Sequence, residues 1–242
     1  MSISRVATQA VGITQDTSAT VQKAFTANVT AGNLIVVGAA KFIAGGAAFV
    51  AGDCTKSAGT ATIGSVSLDE VRTESVNAVA GVWSAIVTGS GSLTIQVSGA
   101  TGSFWAMGIN EYASTIGWDS ARLYAHTNGT GNSNAPLSGN MTSATGVDGL
   151  FVGCIAYDAS GTLGVPVNPR AGYTTIYSEI DGSLHEPGHT MDKIVTSANT
   201  DAVGATHVNT AIWEILGVVY KEAAGGSIAS KPMAVRQLYV MP

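Results

Sequence analysis

The strongest constraint on the fold is a series of short apolar segments, separated by glycine, serine and asparagine turns, that continues along the whole chain. Residues 93–97, Leu-Thr-Ile-Gln-Val, alternate strictly between apolar and polar side chains, as a strand with one buried face requires. Residues 34–40 form a continuous apolar run that is typical of a fully buried strand. Few windows show a helical period. Turn signals at such short intervals are typical of sandwiches and barrels.

The pattern predicts twelve strands and one prominent loop. The strands are expected at residues 20–25, 34–40, 62–71, 79–88, 93–97, 104–112, 123–126, 137–141, 149–157, 174–177, 190–195 and 206–219, and the loop at residues 128–134. We find no exact internal repeat, although the two halves share one rhythm of strands and turns. All-β sandwiches of this length often form one domain. We therefore predict an N-terminal extension at 1–19, one sandwich domain at 20–224, and a hinge with a C-terminal strand or arm at 225–242.

The composition indicates a weakly charged surface. Charged residues make up 11% of the chain and the net charge is −5, whereas a typical soluble domain carries about 25% charged residues. The basic residues are scattered singly, so no nucleic-acid partner is expected, because that function needs a clustered basic face. The hydrophobic content of 45% excludes a disordered chain. Such a surface suits a protein that lies against neighbours.

No signal peptide and no membrane span are predicted. The N-terminus lacks a basic segment followed by an apolar core. Residues 34–51 are nearly long and apolar enough to span a membrane, but Lys41 lies near their middle and would cost about 2.5–3.5 kcal/mol on insertion. A buried strand followed by a Gly/Ala-rich loop is favoured.

The two cysteines differ in their surroundings. Cys154 lies in an apolar run and is predicted to be a small buried hydrophobe, whereas Cys54 follows Gly52 and Asp53 and is predicted to lie in a loop. Two cysteines do not define a disulfide framework, so a bond between them is left open.

One motif matches the pattern of zinc proteases: His185-Glu186-Pro187-Gly188-His189. That chemistry needs both imidazoles on one helical face, with the glutamate placed to activate a bound water. Proline in a helix interior costs about 3 kcal/mol and glycine about 1 kcal/mol, so the motif is predicted to be a polar surface loop. His185 and His189 remain weak metal candidates, with Asp181 or His207 as the third ligand such a loop would need. No cofactor is predicted.

No catalytic residue is predicted, and the chain is not expected to be an enzyme. The strained G-x-S-x-G turn of serine hydrolases does not occur, and Gly89-Ser-Gly-Ser is typical of a hairpin turn. Tryptophan rings can stack on sugars, but three of the four tryptophans lie in apolar strands and are predicted to be core: Trp83, Trp105 and Trp213. Trp118 is expected to lie in an exposed loop and is the best candidate for a ligand or partner contact.

The C-terminal tail combines a hinge with an apolar strand. Gly225-Gly226-Ser227 is typical of a hinge, and residues 233–240 read Met-Ala-Val-Arg-Gln-Leu-Tyr-Val. An apolar strand after a hinge must pair with its own sheet or with the edge of a neighbour. Partner contacts are predicted for four residues of the tail: Lys231, Arg236, Leu238 and Tyr239.

Three stretches share the motifs of one known module: Phe25-x-x-Asn28-Val-Thr-Ala-Gly32-Asn33-Leu-Ile-Val-Val, Leu93-Thr-Ile-Gln-Val and Glu111-Tyr112. The chain resembles a jelly-roll module found in bacteriophage virion proteins and in secreted bacterial surface proteins. The second half follows the same rhythm, and the similarity covers residues 20–222. This chain has Glu111-Tyr-Ala-Ser where the module has an "EYSG" corner, so the glycine of that corner is missing.

The resemblance implies a jelly-roll-like antiparallel sandwich with a structural or binding role. The leading hypothesis is a virion protein, as a head decoration or a fibre or tail component, that contacts its own copies and other virion proteins. A second hypothesis is a carbohydrate-binding or adhesin module that recognises host glycans. A third is a glycoside hydrolase on the same fold, whose paired carboxylates the sequence does not identify. The resemblance supplies no catalytic residues.

Overall fold

A computed structural model describes residues 2–7, 9–42, 47–73, 78–158, 168–178 and 188–224, and these residues are mostly β-strand. The strands are β1 (Ile3–Arg5), β2 (Val11–Ala24), β3 (Leu34–Phe42), β4 (Cys54–Ala58), β5 (Thr62–Ile63), β6 (Ser67–Thr73), β7 (Ala78–Gly89), β8 (Thr94–Ser114), β9 (Trp118–Ser133), β10 (Met141–Thr142), β11 (Gly149–Asp158), β12 (Asn168–Pro169), β13 (Thr174–Ser178), β14 (Gly188–Val195), β15 (Thr200–Asp201), β16 (Ala205–Thr206) and β17 (Ala211–Glu222). One 3-10 turn, Ala51–Asp53, precedes β4.

The long strands form two antiparallel sheets that pack face to face, which confirms the predicted all-β sandwich. Four short strands form two separate two-stranded sheets, β10 with β15 and β12 with β16. In the first sheet, β8 pairs with β1 and β2 on one side and with β3 and β4 on the other, and β7 joins β3 to β5 and β6. The second sheet has the order β13-β14-β11-β17-β9. Each sheet is therefore drawn from one half of the chain, a division that the resemblance to a jelly-roll module did not predict.

The two halves repeat the same strand order. The five longest strands of the first half lie in the order β2-β8-β3-β7-β6, and those of the second half in the order β9-β17-β11-β14-β13. If the five strands of each half are numbered in chain order, both sheets have the spatial order first, fifth, second, fourth, third. The sandwich is thus two copies of one strand arrangement that face each other.

The pairing registers of the two halves agree as well. Leu34 lies opposite Tyr112 in the first sheet, and Leu150 lies opposite Tyr220 in the second. The third long strand of each half carries a bulge at the equivalent position, between Leu68 and Glu70 in β6 and between Thr175 and Tyr177 in β13. The shared rhythm seen in the sequence therefore reflects a structural repeat.

Three apolar layers explain why so many of the strands are continuously apolar. One layer lies between the sheets, and another covers the outer face of each sheet. In β3, Val36 contributes to the central layer and Val37 to the outer layer of the first sheet. Both outer layers are capped by the chain's own connections, for example by Phe49 on the first sheet and by Val203 on the second.

The predicted N-terminal extension at 1–19 is wrong, because that segment belongs to the first sheet. β1 pairs with the end of β8, where Ile3 lies opposite Ser114, and β2 pairs with β8 from Val11 onwards. Ile3 is buried in the central layer, and Val11 packs against the outer layer. Glycine and glutamine residues in this segment weakened its strand pattern in the sequence. The predicted tail at 225–242 lies outside the described residues.

Several other strand boundaries also differ from prediction. The strands expected at 93–97 and 104–112 are one strand, β8, the strand expected at 62–71 is divided between β5 and β6, and the loop expected at 128–134 is part of β9. Glycines in β9 serve close packing: a Cβ on Gly129 would lie 2.9 Å from the carbonyl oxygen of Leu137, and one on Gly131 would lie 2.5 Å from the ring of Trp213.

Both cysteines are buried and unbonded. Cys154 lies in the central layer as predicted, whereas Cys54 lies in the outer layer of the first sheet rather than in an open loop. Burial raises the pKa of each thiol to about 12. Separately, no helix among the described residues has the length and apolar character needed to cross a membrane.

Close packing between the sheets gives a first prediction. In Gly108→Ala, the new Cβ would lie 2.2 Å from Thr190 Oγ1 and 3.1 Å from Tyr177 Cβ, so we expect a loss of about 1–3 kcal/mol in the free energy of unfolding. Gly52→Ala is the matched control, because nothing lies within 4 Å of its added Cβ. Urea denaturation measures both variants, and equal midpoints would contradict the prediction.

Candidate functional sites

Trp118 does not lie in an exposed loop. It is the first residue of β9, opposite Glu222, and its half-buried ring packs against the central layer. Its Nε1 atom is buried and has no hydrogen-bond partner among the described residues. The sheet extends to this residue, because the connection from β8 to β9 is only Thr115-Ile116-Gly117. The predicted contact role of Trp118 stays a prediction.

His189 lies in a buried strand rather than in a polar surface loop. It is the second residue of β14, opposite Ile155 and Ser178, and its ring Nε2 lies 3.3 Å from Thr175 Oγ1. Burial lowers its pKa to about 4, so the ring is neutral at pH 7. His185 and Asp181 lie outside the described residues. Among the residues that the structure describes, no group of three or more His, Cys, Asp or Glu could hold a metal ion.

The outer side of the second sheet contains three buried polar atoms that have no hydrogen-bond partner in the part of the chain that the structure describes: Ser178 Oγ, His189 Nδ1 and His207 Nε2. Ser178 and His189 are direct cross-strand neighbours. The His207 ring packs edge-on against Tyr157, with ring centroids 5.2 Å apart. Buried polar atoms are normally paired with protein or ordered water, so these atoms could bind water or a small polar ligand.

The tautomer of His207 follows from its main-chain contact. Its Nδ1 lies 2.5 Å from the carbonyl oxygen of Asn209, which can only accept a hydrogen bond, so Nδ1 carries the proton and Nε2 is the acceptor. Burial lowers the pKa of this imidazole. Sequence reasoning named His207 only as a third metal ligand. It missed the grouping with Tyr157 because β11, β13, β14 and the segment before β17 supply the members.

A buried carboxylate on the second sheet binds side chains of the first. Asp192 on β14 accepts hydrogen bonds from Tyr112 Oη at 2.5 Å, from Arg5 Nε at 3.0 Å and from Asn110 Nδ2 at 3.4 Å. The guanidinium of Arg5 also pairs with the other Asp192 oxygen. Burial and the nearby Asp192 charge raise the pKa of Tyr112 well above its usual value, so Tyr112 stays a hydrogen-bond donor.

A matching interaction has its tyrosine on the second sheet and its carboxylate on the first, and we call each of these two tyrosine–carboxylate interactions a clasp. Tyr220 on the second sheet donates to Asp69 of β6 at 2.6 Å. Beside it, Arg122 donates through Nε to Ser84 Oγ and through Nη2 to Ser84 O, both at 2.8 Å. Burial raises the pKa of Asp69, which hydrogen bonds from Ser84 and Tyr220 oppose. Each half therefore inserts one tyrosine towards a carboxylate of the other half.

The Glu111-Tyr112 pair that carried part of the resemblance has a structural role. Glu111 is fully buried and accepts hydrogen bonds from the Thr30 amide at 2.8 Å, from Asn33 Nδ2 at 2.7 Å and from Gln9 Nε2 at 3.1 Å. It therefore holds the turn before β3 and the chain before β2. None of these contacts requires the glycine that is missing from the corner.

Two of the surface pockets lined by described residues contain charged side chains. The larger, about 290 Å³, is lined mainly by apolar atoms of the segment around Leu137 and by Arg170, whose guanidinium lies 3.3 Å from Asp201. The smaller, about 250 Å³, is lined by Asp148 and Glu222, and the chain's own Ser2 hydrogen-bonds to both carboxylates. Neither pocket presents a set of groups arranged for catalysis.

β9 forms one edge of the second sheet. Residues 125–133 pair with β17 in nine consecutive positions without a bulge. No described strand pairs with the other side of β9, and the neighbouring β6 reaches it through side chains, with Glu70 contacting His126 and Asn128.

The four tail residues predicted to contact a partner, Lys231, Arg236, Leu238 and Tyr239, lie outside the described residues. Comparisons with known proteins gave no match to any family model, to any curated protein or to any solved structure.

Proposed function

We propose that this chain is a structural protein of a bacteriophage particle, a head decoration or a fibre or tail component, that acts through contacts between subunits. The observation that carries the proposal is that β9 forms one edge of the second sheet, since no described strand pairs with its outer side. Sheet edges that are neither paired nor protected are templates for pairing with another chain. The virion setting rests on the sequence resemblance.

The rest of the surface is consistent with this role. Both outer sheet faces are covered by the chain's own connections, so a partner meets edges and loops rather than an open apolar face. Charged residues are few, and weakly charged surfaces can lie side by side without strong repulsion. The expected partners are other copies of the chain, in a symmetric homo-oligomer, and other virion proteins.

Mass spectrometry of purified particles tests the proposal. The chain is expected in particles of the phage that encodes it, at a copy number comparable to other structural proteins. Truncation after Ala224 is expected to abolish incorporation, because the tail supplies predicted partner contacts. Full-length Gly52→Ala is the control and should incorporate normally. Presence in the lysate but not in particles would contradict the structural role, and normal incorporation of the truncated chain would contradict the role of the tail.

A further inference from the structure

We propose that the larger surface pocket, beside Leu137 and Arg170, binds a small organic anion that has one carboxylate and a short apolar chain. The pocket has a volume of about 290 Å³, which is comparable to that of about ten water molecules in the liquid and is enough for a short-chain fatty acid. This inference goes beyond the proposed function and does not depend on the virion role.

The wall of the pocket is built by main-chain segments that hold each other in place. Leu137 forms an antiparallel bridge with Gly204. The Ala205 amide donates to Pro136 O at 3.1 Å. The Arg170 amide donates to Gly204 O at 2.8 Å. These main-chain groups are therefore occupied within the chain, and the wall offers a ligand mainly apolar atoms, as small-molecule sites usually do.

Gly204 leaves space between the side chains of Leu137 and Arg170. A Cβ at position 204 would lie 2.9 Å from Leu137 Cδ1 and 3.8 Å from Arg170 Cδ, so it would project between them. Leu137 keeps 47% exposure although its side chain is large and apolar. An apolar chain that packs against Leu137 removes this surface from water, and the hydrophobic effect therefore favours binding.

Arg170 brings an excess positive charge to the border of the pocket. Asp201 accepts a hydrogen bond from Lys193 Nζ at 2.5 Å and lies 3.3 Å from Arg170 Nη2, so two cations share one carboxylate. The contact to Arg170 is longer than the distance of about 2.7–2.9 Å that is typical of charge-assisted hydrogen bonds, and the Arg170 side chain keeps 44% exposure. A guanidinium has several N–H donors in one plane, so it can bind a second carboxylate through two parallel hydrogen bonds.

The combination of one excess charge and an apolar wall selects the class of ligand. A carboxylate carries one negative charge and matches the single positive charge that Asp201 leaves uncompensated. Hydroxyl groups that are buried without hydrogen-bond partners cost free energy, so a sugar with many hydroxyl groups fits this wall poorly. A short fatty acid pairs its carboxylate with Arg170 and buries its chain against Leu137.

Titration of the full chain with hexanoate, observed by NMR at pH 7 and constant ionic strength, tests the proposal. Hexanoate is expected to shift the amide signals of Leu137, Arg170 and Gly204 in a saturable manner. Acetate has the charge without the chain, and 1-hexanol has the chain without the charge, so each should bind at least about tenfold more weakly. Equal binding of either compound would overturn the proposal, and so would the absence of saturable shifts at these three residues.

Two variants and a charge-matched control locate the binding site. Arg170→Gln removes the guanidinium, and Leu137→Asp places a carboxylate beside the apolar wall, so each should weaken hexanoate binding at least about tenfold. Both replaced side chains are partly exposed, so the fold should be kept, which the dispersion of the amide signals checks. Lys23→Gln removes one positive charge from β2 of the other sheet and should leave binding unchanged.

The variants also distinguish a small ligand from a protein partner. Unchanged binding in Arg170→Gln, or an equal loss in Lys23→Gln, would overturn the proposal. If hexanoate does not bind but Leu137→Asp changes the sedimentation coefficient of the chain, the pocket contacts another subunit and the small-ligand proposal is wrong.

Discussion

Asp192→Ala is expected to lower the free energy of unfolding by about 3 kcal/mol, since removing one partner of a buried ion pair leaves the other charge uncompensated. Asp192 is almost fully buried, while the side chain of Arg5 keeps 27% exposure, so water recovers part of the lost interaction. Tyr112 and Asn110 lose an acceptor at the same time. Urea denaturation at pH 7 measures the loss.

Two comparison variants distinguish the loss of the buried carboxylate from the nonspecific effect of a substitution on stability. Tyr112→Phe removes only one hydrogen bond to Asp192 and should cost about 1 kcal/mol. Asp119→Ala removes a partly exposed carboxylate paired with Lys221, and such surface pairs contribute little to stability. If Asp192→Ala costs no more than Asp119→Ala, the clasp does not hold the sheets together.

Acidification from pH 7 to pH 4 is expected to destabilise the fold through His189. Burial lowers its folded-state pKa from 6.5 to about 4, so between these values the unfolded chain binds a proton that the folded chain does not. The free energy of unfolding therefore falls as the pH falls through this window. The difference in pKa corresponds to about 3 kcal/mol at about 1.4 kcal/mol per pH unit.

Replacing His189 isolates this contribution. His189→Gln should remove most of the dependence of the free energy of unfolding on pH between 6.5 and 4. His126→Gln is the control, because His126 is an exposed histidine beside Glu70. Denaturation curves at several pH values provide the measurement. An unchanged slope in His189→Gln would assign the acid sensitivity to other groups, such as His207, whose pKa burial also lowers.

The central strands could be predicted from the sequence because burial on both faces leaves a continuous apolar run. β3, β7 and β11 begin within one residue of the predicted positions. β9 could not be predicted in full, since its glycines, which resemble a loop, make room for Trp213 and for the Leu137 main chain. A turn pattern in the sequence reflects local conformational preference, whereas these glycines are required by contacts with segments that are distant in the chain.

The repeat was hidden for a similar reason. Its clearest sequence traces are Ile86-Val87-Thr88 against Ile194-Val195-Thr196, and the seven-residue spacing from Trp105 to Tyr112 against that from Trp213 to Tyr220. Core positions need apolar volume rather than a particular residue, so other equivalences have diverged. The clasps were equally invisible, because Arg5 and Asp192, or Asp69 and Tyr220, are brought together only by the facing of the sheets.

The duplicated strand order has an evolutionary consequence. A chain of half this length that packed against its own copy could bury an equivalent central layer, and gene duplication with fusion would join the two copies in one chain. A homodimer must keep both halves identical, whereas a fused chain can change each half separately. The clasps show such a difference: the carboxylate stands on β14 as Asp192 in one half, whereas Ser84 occupies that position in the other and Asp69 in the bulge of β6 supplies the charge.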